Sequence, residues 1–180
     1  MVCHDEHLLG NGHGFDTHRH SGVAIVTWVL SGTLEHRDSL GGATALEPGA
    51  VGVLYAGDGV EHSEMAAAPQ TRFVQVWLRS DEPASYNVMP VAPPASAEGG
   101  FVEACRVADA TFYVARPGAG EAVTLPGGAL RHLFVARGAL LRSSLAEPAA
   151  AGDAFVVRGD ETVTVTAAVP TELLLWSLPG

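Results

Sequence analysis

The sequence predicts an all-β protein with a first β-barrel and a second β-barrel or sandwich, and three observations support that fold class. Short runs rich in β-branched and aromatic residues recur along the whole chain, as in residues 23–30 and 111–116. Clusters of glycine and proline separate these runs at intervals typical of turns between strands. Apolar spacing typical of helices is almost absent, which excludes the doubly wound α/β folds.

Composition indicates two domains joined by a linker. The chain has 180 residues, of which 47% are hydrophobic and 17% charged, so it is globular and long enough to bury a core. Residues 81–100 hold four of the eleven prolines among Ala, Ser, Gly and Glu, a composition typical of an extended connection. We therefore expect a first domain over residues 1–80, a linker over 81–100 and a second domain over 101–180.

The net charge and the cysteine content limit the binding partners and the cellular compartment that we expect. The net charge is −10, and an acidic surface disfavours direct binding to nucleic acid or to an anionic membrane. Cys3 and Cys105 are too few for a disulfide framework. The sequence shows neither the apolar core of a signal peptide nor a membrane-length apolar run, so we expect a cytoplasmic protein.

Four residues of the first half form two pairs with metal-ligand spacing. His18 and His20 stand two residues apart, and so do His62 and Glu64. Alternate side chains of a strand point to one face about 7 Å apart. If the two strands face each other across a barrel, three imidazoles and one carboxylate converge on one point. Such a set suits Fe, Ni, Cu, Mn or Zn and leaves one or two positions open for substrate or O2.

The surrounding sequence supports this arrangement. Glycine-containing turns, which would bring the strands together, are predicted at 31–32, 41–42, 47–49 and 57–59. Glu61 adjoins His62, but strand alternation turns it to the opposite face, so it is not a predicted ligand. The alternating segment 71–79 is predicted to be a strand that closes the barrel. Gln75 within it is expected to face inward and to form a hydrogen bond near the metal.

The other histidines of the first half are weaker candidates. His4, His7 and His13 have spacings that fit no metal geometry, so we expect them at the surface or rim, with His13 nearest the site. His36 lies in the run EHRDS, where it could support a ligand or belong to a hairpin, and the structural role is favoured. Arg37 and Asp38 beside it are expected to form a surface ion pair.

The second half repeats the strand pattern without the ligand pairs. Short strands separated by glycine turns are predicted over 101–107, 111–116, 130–135, 154–157, 162–167 and 172–178. Its only histidine is His132, so it cannot supply a three-histidine centre. Motifs for dinucleotide binding, for a phosphate-binding loop, for a serine nucleophile elbow and for a CxxC zinc site are all absent.

The block HxH-SG-x-A-IVTWVL, followed by TLEHRDSLG, AGDGVEHSE and FVQVWL, resembles the N-terminal barrel of the pirin family. The resemblance implies a bicupin, with two double-stranded β-helix (jelly-roll) barrels and a metal-free C-terminal barrel. It also implies that His18, His20, His62 and Glu64 are the metal ligands. The family's glutamate four residues after the second histidine is Ala24 here. Family members commonly carry several dozen residues before the first ligand strand, most of which this sequence lacks.

The resemblance implies two alternative functions. Bacterial pirins include quercetin 2,3-dioxygenases, so the leading hypothesis is a metal-dependent dioxygenase that opens a flavonol-like small molecule with O2. Its metal would act as a Lewis acid, and Glu64 would take the substrate's hydroxyl proton as general base. Fe(II) is the first choice, with Ni, Mn, Cu and Zn as alternatives.

Animal pirins, by contrast, are nuclear iron proteins that act as transcription cofactors. The alternative function is therefore a non-catalytic iron protein, a redox-sensitive module that binds a protein partner. A degenerate cupin without metal is the third hypothesis. A cavity large enough for a ligand, beside open coordination positions, would favour the enzyme over the regulator.

Overall fold

The computed structural model describes residues 1–91, 100–141 and 147–180, and it separates into two compact units, Met1–Val91 and Ala92–Gly180. The described residues form β-strands joined by turns and loops, which confirms the all-β class. Within these ranges no helical segment has the length and hydropathy needed to cross a lipid bilayer.

The first unit consists of two antiparallel sheets. Its described strands are β1 (Cys3–Leu9), β2 (Gly14–His20), β3 (Val23–Ser31), β4 (Leu34–Asp38), β5 (Ala43–Leu46), β6 (Ala50–Tyr55), β7 (Val60–Ala66), β8 (Thr71–Arg79) and β9 (Ser85–Pro90). One sheet has the order β1-β8-β3-β6-β9, and the other has the order β2-β7-β4-β5. The β-branched run of β3 lies between β8 and β6, and seven of its nine residues are buried. This strand is therefore the centre of the larger sheet.

Strand β9 lies inside the segment that composition indicated as a linker. It pairs with β6 from Ala50 to Tyr55 and so belongs to the first unit. Proline is tolerated there because β9 is an edge strand and Pro90 is its last residue. Residues 92–99 of the expected linker lie outside the described residues.

The second unit has a similar plan. Its described strands are β10 (Val102–Val107), β11 (Ala110–Ala115), β12 (Ala122–Thr124), β13 (Leu130–Arg137), β14 (Ala154–Arg158), β15 (Thr164–Thr166) and β16 (Glu172–Leu178). Five of them form the sheet β10-β11-β16-β13-β14, and β12 pairs with β15. The pairing of β13 with β16 has the same register as that of β3 with β8, including a bulge near the end of β13 and of β3.

A glycine and a threonine form the same contact in both units, which we call the latch. In the first unit the Thr71 hydroxyl accepts a hydrogen bond from the Thr33 backbone N–H at 3.3 Å, beside Gly32. In the second unit the Thr171 hydroxyl accepts one from the Ala139 N–H at 3.2 Å, beside Gly138.

The two latch glycines have nearly the same backbone conformation. Their φ values are 75° for Gly32 and 79° for Gly138, and a Cβ at either would overlap the threonine. Both positions therefore require glycine. Because the latch occurs in both units, it shows which residues of the two units are equivalent: Gly32 with Gly138, and Thr71 with Thr171.

The apolar cores of the two units differ in continuity. In the first unit one cluster is formed by Val29, Leu34, Leu46 and Phe73, and a separate one by Ile25, Leu54 and Val60. In the described part of the second unit, eleven buried residues form one cluster, namely Ala115, Val123, Leu125, Leu133, Val135, Leu140, Val157, Val163, Val165, Leu173 and Leu175. A polar layer lies between the two clusters of the first unit, since Thr27 alternates with Ile25 and Val29 along β3.

Candidate metal centre

The polar layer contains both predicted ligand pairs. His18 lies on β2 directly opposite His62 on β7, because the two strands are antiparallel neighbours in one sheet. The expectation that the ligand strands face each other across the barrel was therefore wrong. Directly opposite residues of an antiparallel pair point to the same face with Cβ atoms about 5 Å apart, so neighbouring strands converge the side chains equally well.

Three histidines converge closely. The ring centroids of His18 and His62 are 4.5 Å apart, those of His18 and His20 are 4.8 Å apart, and those of His20 and His62 are 5.1 Å apart. One nitrogen of each ring lies within 4.8 Å of one nitrogen of both others. A β-bulge in β2 between Phe15 and His18 accompanies this arrangement, as is common beside functional sites.

The hydrogen bonding of these rings suits metal ligands. His18 donates through Nδ1 to the Asp16 carbonyl oxygen at 2.7 Å, which leaves Nε2 with its lone pair. Among the described residues, neither ring nitrogen of His62 has a hydrogen-bond partner, and His62 is only 2% exposed. His20 Nε2 is likewise buried without a partner in the described chain. Buried polar atoms normally have partners, so a bound ion is a natural occupant of this site.

Electrostatics keep the central imidazole neutral. Burial, together with the neighbouring rings of His18, His36 and His20, lowers the pKa of His62 from 6.5 to about 3. A neutral ring at neutral pH is the form that binds a metal, because the lone pair is not protonated. The donor set of this site therefore fits a divalent transition metal ion.

Glu64 lies in the same layer but beside a different group of side chains. Its Oε2 accepts a hydrogen bond of 2.6 Å from Gln75 Nε2, and Gln75 also donates to the Thr27 hydroxyl at 3.2 Å. The prediction that Gln75 faces inward near the site is confirmed. Burial raises the pKa of Glu64 to about 7, although Gln75 and His18 act in the opposite direction.

The Glu64 carboxylate approaches His36 and His62 rather than the His18–His20 pair. A ligand atom from each of His36, His62 and Glu64 lies within 4.8 Å of the other two. All three residues are buried. The structure thus brings the three predicted histidines together and groups the predicted carboxylate with His62 and His36.

His36 is a functional candidate that the sequence only partly revealed. It is 1% exposed, and its Nε2 lies 2.9 Å from Asp38 Oδ2. The expected ion pair between Arg37 and Asp38 does not form, because alternation along β4 turns Asp38 inward with His36 and leaves Arg37 outside near Glu35.

Tyr86 was missed because it lies in the segment expected to be a linker. Its ring stacks on His36 with centroids 3.8 Å apart and planes at 15°. Its hydroxyl approaches Gly52, where a Cβ would stand 2.8 Å from it. The one available signal was the aromatic and β-branched content of SYNVM, which the neighbouring prolines obscured.

The remaining candidates lie outside the centre. Glu61 is exposed on the opposite face of β7, as predicted. His13 is exposed, and the half-buried His7 packs against Phe15 and Phe73 with ring centroids 5.0 Å from each. In the described chain, none of the three early histidines belongs to a group of three metal donors.

Corresponding positions of the second unit are aliphatic. The backbone N–H of Ala67 donates to the carbonyl of Thr33, and in the second unit the N–H of Ala168 donates to the carbonyl of Ala139. Ala67 and Ala168 are therefore equivalent. Counting back along the chain, His62 and Glu64 correspond to Val163 and Val165. The Thr27–Gln75 pair corresponds to Leu133 and Leu175 through the shared register. All four aliphatic residues belong to the same cluster of eleven buried residues in the second unit.

Comparison with known proteins gives concordant results. The Pirin family model matches residues 2–78. A Mycobacterium tuberculosis protein named "Putative quercetin 2,3-dioxygenase" is 34% identical over 194 residues, which cover 99% of this chain and 79% of the relative. The quercetin 2,3-dioxygenase of Escherichia coli K12 is 35% identical over 83 residues, which cover 45% of this chain and 36% of the relative.

Solved structures show the same fold. The crystal structure of Escherichia coli YhhW matches with a TM-score of 0.86 at 22% identity, over 98% of this chain and 80% of YhhW. A structure of that bacterial pirin in complex with nickel(II) matches with a TM-score of 0.82 at 23% identity, over 98% of this chain and 81% of its own. The two-barrel fold expected of a bicupin is thereby confirmed. The chain belongs to the pirin family.

Proposed function

We propose that this chain is a metal-dependent dioxygenase that opens a flavonol-like small molecule with O2. The observation that carries the proposal is the convergence of His18, His20 and His62, whose buried ring nitrogens include three without a protein partner in the described chain. The names of its relatives as quercetin 2,3-dioxygenases support the reaction class.

We assign the ligand set to His18, His20, His62 and Glu64. Two imidazoles from β2, with an imidazole and a carboxylate from β7, make a mixed donor set that borderline divalent ions prefer. Fe(II) is our first choice, with Ni, Mn, Cu and Zn as alternatives. The nickel(II) complex of the Escherichia coli pirin supports an ion of this class.

When bound, the metal supplies Lewis-acid polarisation of a substrate oxygen. Glu64 takes the proton from the substrate hydroxyl as general base, while Gln75 donates a hydrogen bond to its Oε2. Trp77 is half-buried, and its ring lies 4.7 Å from that of His20. This indole provides an apolar wall for a flat aromatic substrate.

The proposal is tested by metal analysis and O2 uptake with quercetin, after anaerobic loading with Fe(II). Wild type should bind one ion and consume O2. Glu64→Ala should reduce the turnover rate at least about 100-fold, the usual contribution of a general base. Glu61→Ala is the matched control, because it removes a carboxylate from the same strand on the exposed face.

Two outcomes would contradict the proposal. Stoichiometric metal without O2 uptake from any flavonol would favour the non-catalytic, partner-binding alternative. Equal turnover in Glu64→Ala and Glu61→Ala would exclude Glu64 as the base. Metal content is measured for every variant, so that loss of the ion is distinguished from loss of the proton acceptor.

A further inference from the structure

The polar layer contains a second group of metal donors. His36, His62 and Glu64 are 1%, 2% and 4% exposed, and a donor atom of each lies within 4.8 Å of the other two. They come from the neighbouring strands β4 and β7, where His36 is directly opposite Glu64. This inner group shares His62 with the three-histidine group, and it shares both His62 and Glu64 with the ligand set proposed above.

Asp38 fixes one ring nitrogen of His36 by a hydrogen bond. The Asp38 carboxylate accepts hydrogen bonds from the backbone N–H groups of Leu40 and Gly42, at 2.9 and 3.1 Å, and lies 2.9 Å from His36 Nε2. A histidine that donates one ring N–H to a fixed carboxylate keeps the other nitrogen available with its lone pair. Metal-bound histidines commonly show this arrangement.

His62 is suited to serve either group. Its two ring nitrogens are both buried and without a partner in the described chain. The centroid of its ring lies 4.5 Å from that of His18 and 5.3 Å from that of His36, so it stands between the two groups. The Glu64 carboxylate, held by Gln75, lies with the inner group.

We propose that the barrel has an inner metal position formed by His36, His62 and Glu64. It is an alternative to the outer position, the ligand set His18, His20, His62 and Glu64, and one ion occupies either position because His62 and Glu64 belong to both. Two nitrogens and one carboxylate oxygen suit Co²⁺ and Zn²⁺ as well as Fe(II). The proposal requires only that the site binds a metal. The inner position can therefore be absent from an active dioxygenase, and it can be present in a protein without dioxygenase activity.

The test is titration of metal-free protein with Co²⁺, followed by visible absorption and calorimetry. His18→Gln/His20→Gln removes the outer donors and should still bind one Co²⁺. Adding His36→Phe, which keeps a ring against Tyr86, should then weaken binding at least about tenfold. His132→Phe, the same substitution in the second unit, is the control and should leave the affinity unchanged.

Loss of Co²⁺ binding in folded His18→Gln/His20→Gln would overturn the proposal, as would equal affinity with and without His36→Phe. Near-UV circular dichroism establishes that the variants are folded. If the double variant does not fold, His20→Gln replaces it, because His20 is half-buried at the end of β2. In that background His36→Phe should again weaken binding at least about tenfold, and an unchanged affinity would overturn the proposal.

Discussion

The interiors of the two units differ in chemistry, although their central strands pair in the same register. Where the first has Thr27, His62, Glu64 and Gln75, the second has Leu133, Val163, Val165 and Leu175, all at most 5% exposed. Among the described residues, the aliphatic set belongs to one apolar cluster, whereas the polar set lies between two apolar clusters. The second unit shows that this fold accommodates an aliphatic layer. Burying the polar layer of the first unit costs free energy that a bound metal would offset.

The largest expected effect comes from moving one polar residue of this layer into the second unit. Leu175→Gln should reduce the free energy of unfolding by about 3 kcal/mol, because an amide would be buried among aliphatic side chains without a partner. Urea unfolding monitored by fluorescence measures the change.

The reverse exchange sharpens the same comparison. Glu64→Val/Gln75→Leu reproduces the Val165–Leu175 pair in the first unit and should leave metal-free protein at least as stable as wild type. Gln75→Leu alone should cost about 1–2 kcal/mol, because Glu64 loses its donor. If Leu175→Gln were neutral, or if the double exchange prevented folding, the two interiors would not be interchangeable as inferred.

The pH dependence of metal-free protein tests the buried carboxyl of the same polar layer. Burial raises the pKa of Glu64 from 4.5 to about 7, so the folded state holds this proton more tightly than the unfolded state does. The stabilisation is complete below pH 4.5 and is lost as the pH rises through about 7, by up to about 1.4 kcal/mol per pH unit.

Glu64→Gln has no such proton to lose. Its unfolding free energy should therefore rise relative to that of wild type across the same pH window. Urea unfolding of both proteins at four pH values measures the difference, and the contribution of His62 cancels because both contain it. A constant difference from pH 4.5 to 8 would show that the buried carboxyl does not titrate in this window.

The smallest effects should come from the latch, the feature that the two units share. Thr71→Val and Thr171→Val each remove a buried hydroxyl that accepts a backbone N–H and donates to a carbonyl. Each should lower the unfolding free energy by about 1 kcal/mol, since one buried backbone group loses its partner. If only one of the two variants were less stable than wild type, the two contacts would match in geometry but not in their contribution to stability.

Local spacing explains how much of the site could be predicted. The two ligand pairs and the inward Gln75 follow from alternation within single strands, a property that the sequence carries directly. The roles of His36 and Tyr86 depend on which strands are neighbours and in what register. That information arises from packing of the whole unit and has no local signal.

The fold class was predictable for a similar reason. Strand propensity and glycine turns mark the β-strands throughout the chain, but the end of the first unit was missed. β9 pairs along β6 despite its proline-rich surroundings, because an edge strand needs hydrogen bonds on one side only. The correspondence between the units was also hidden, since the latch preserves little more than Gly32 with Thr71 and Gly138 with Thr171.

The divided core of the first unit has a consequence for protein engineering. Its two apolar clusters are held by different residues from those that make the layer between them. A designer could therefore rewrite the middle layer for another ion or a small organic guest while leaving both hydrophobic ends untouched. The second unit offers an equivalent scaffold for introducing such a site, because the corresponding layer there is already aliphatic.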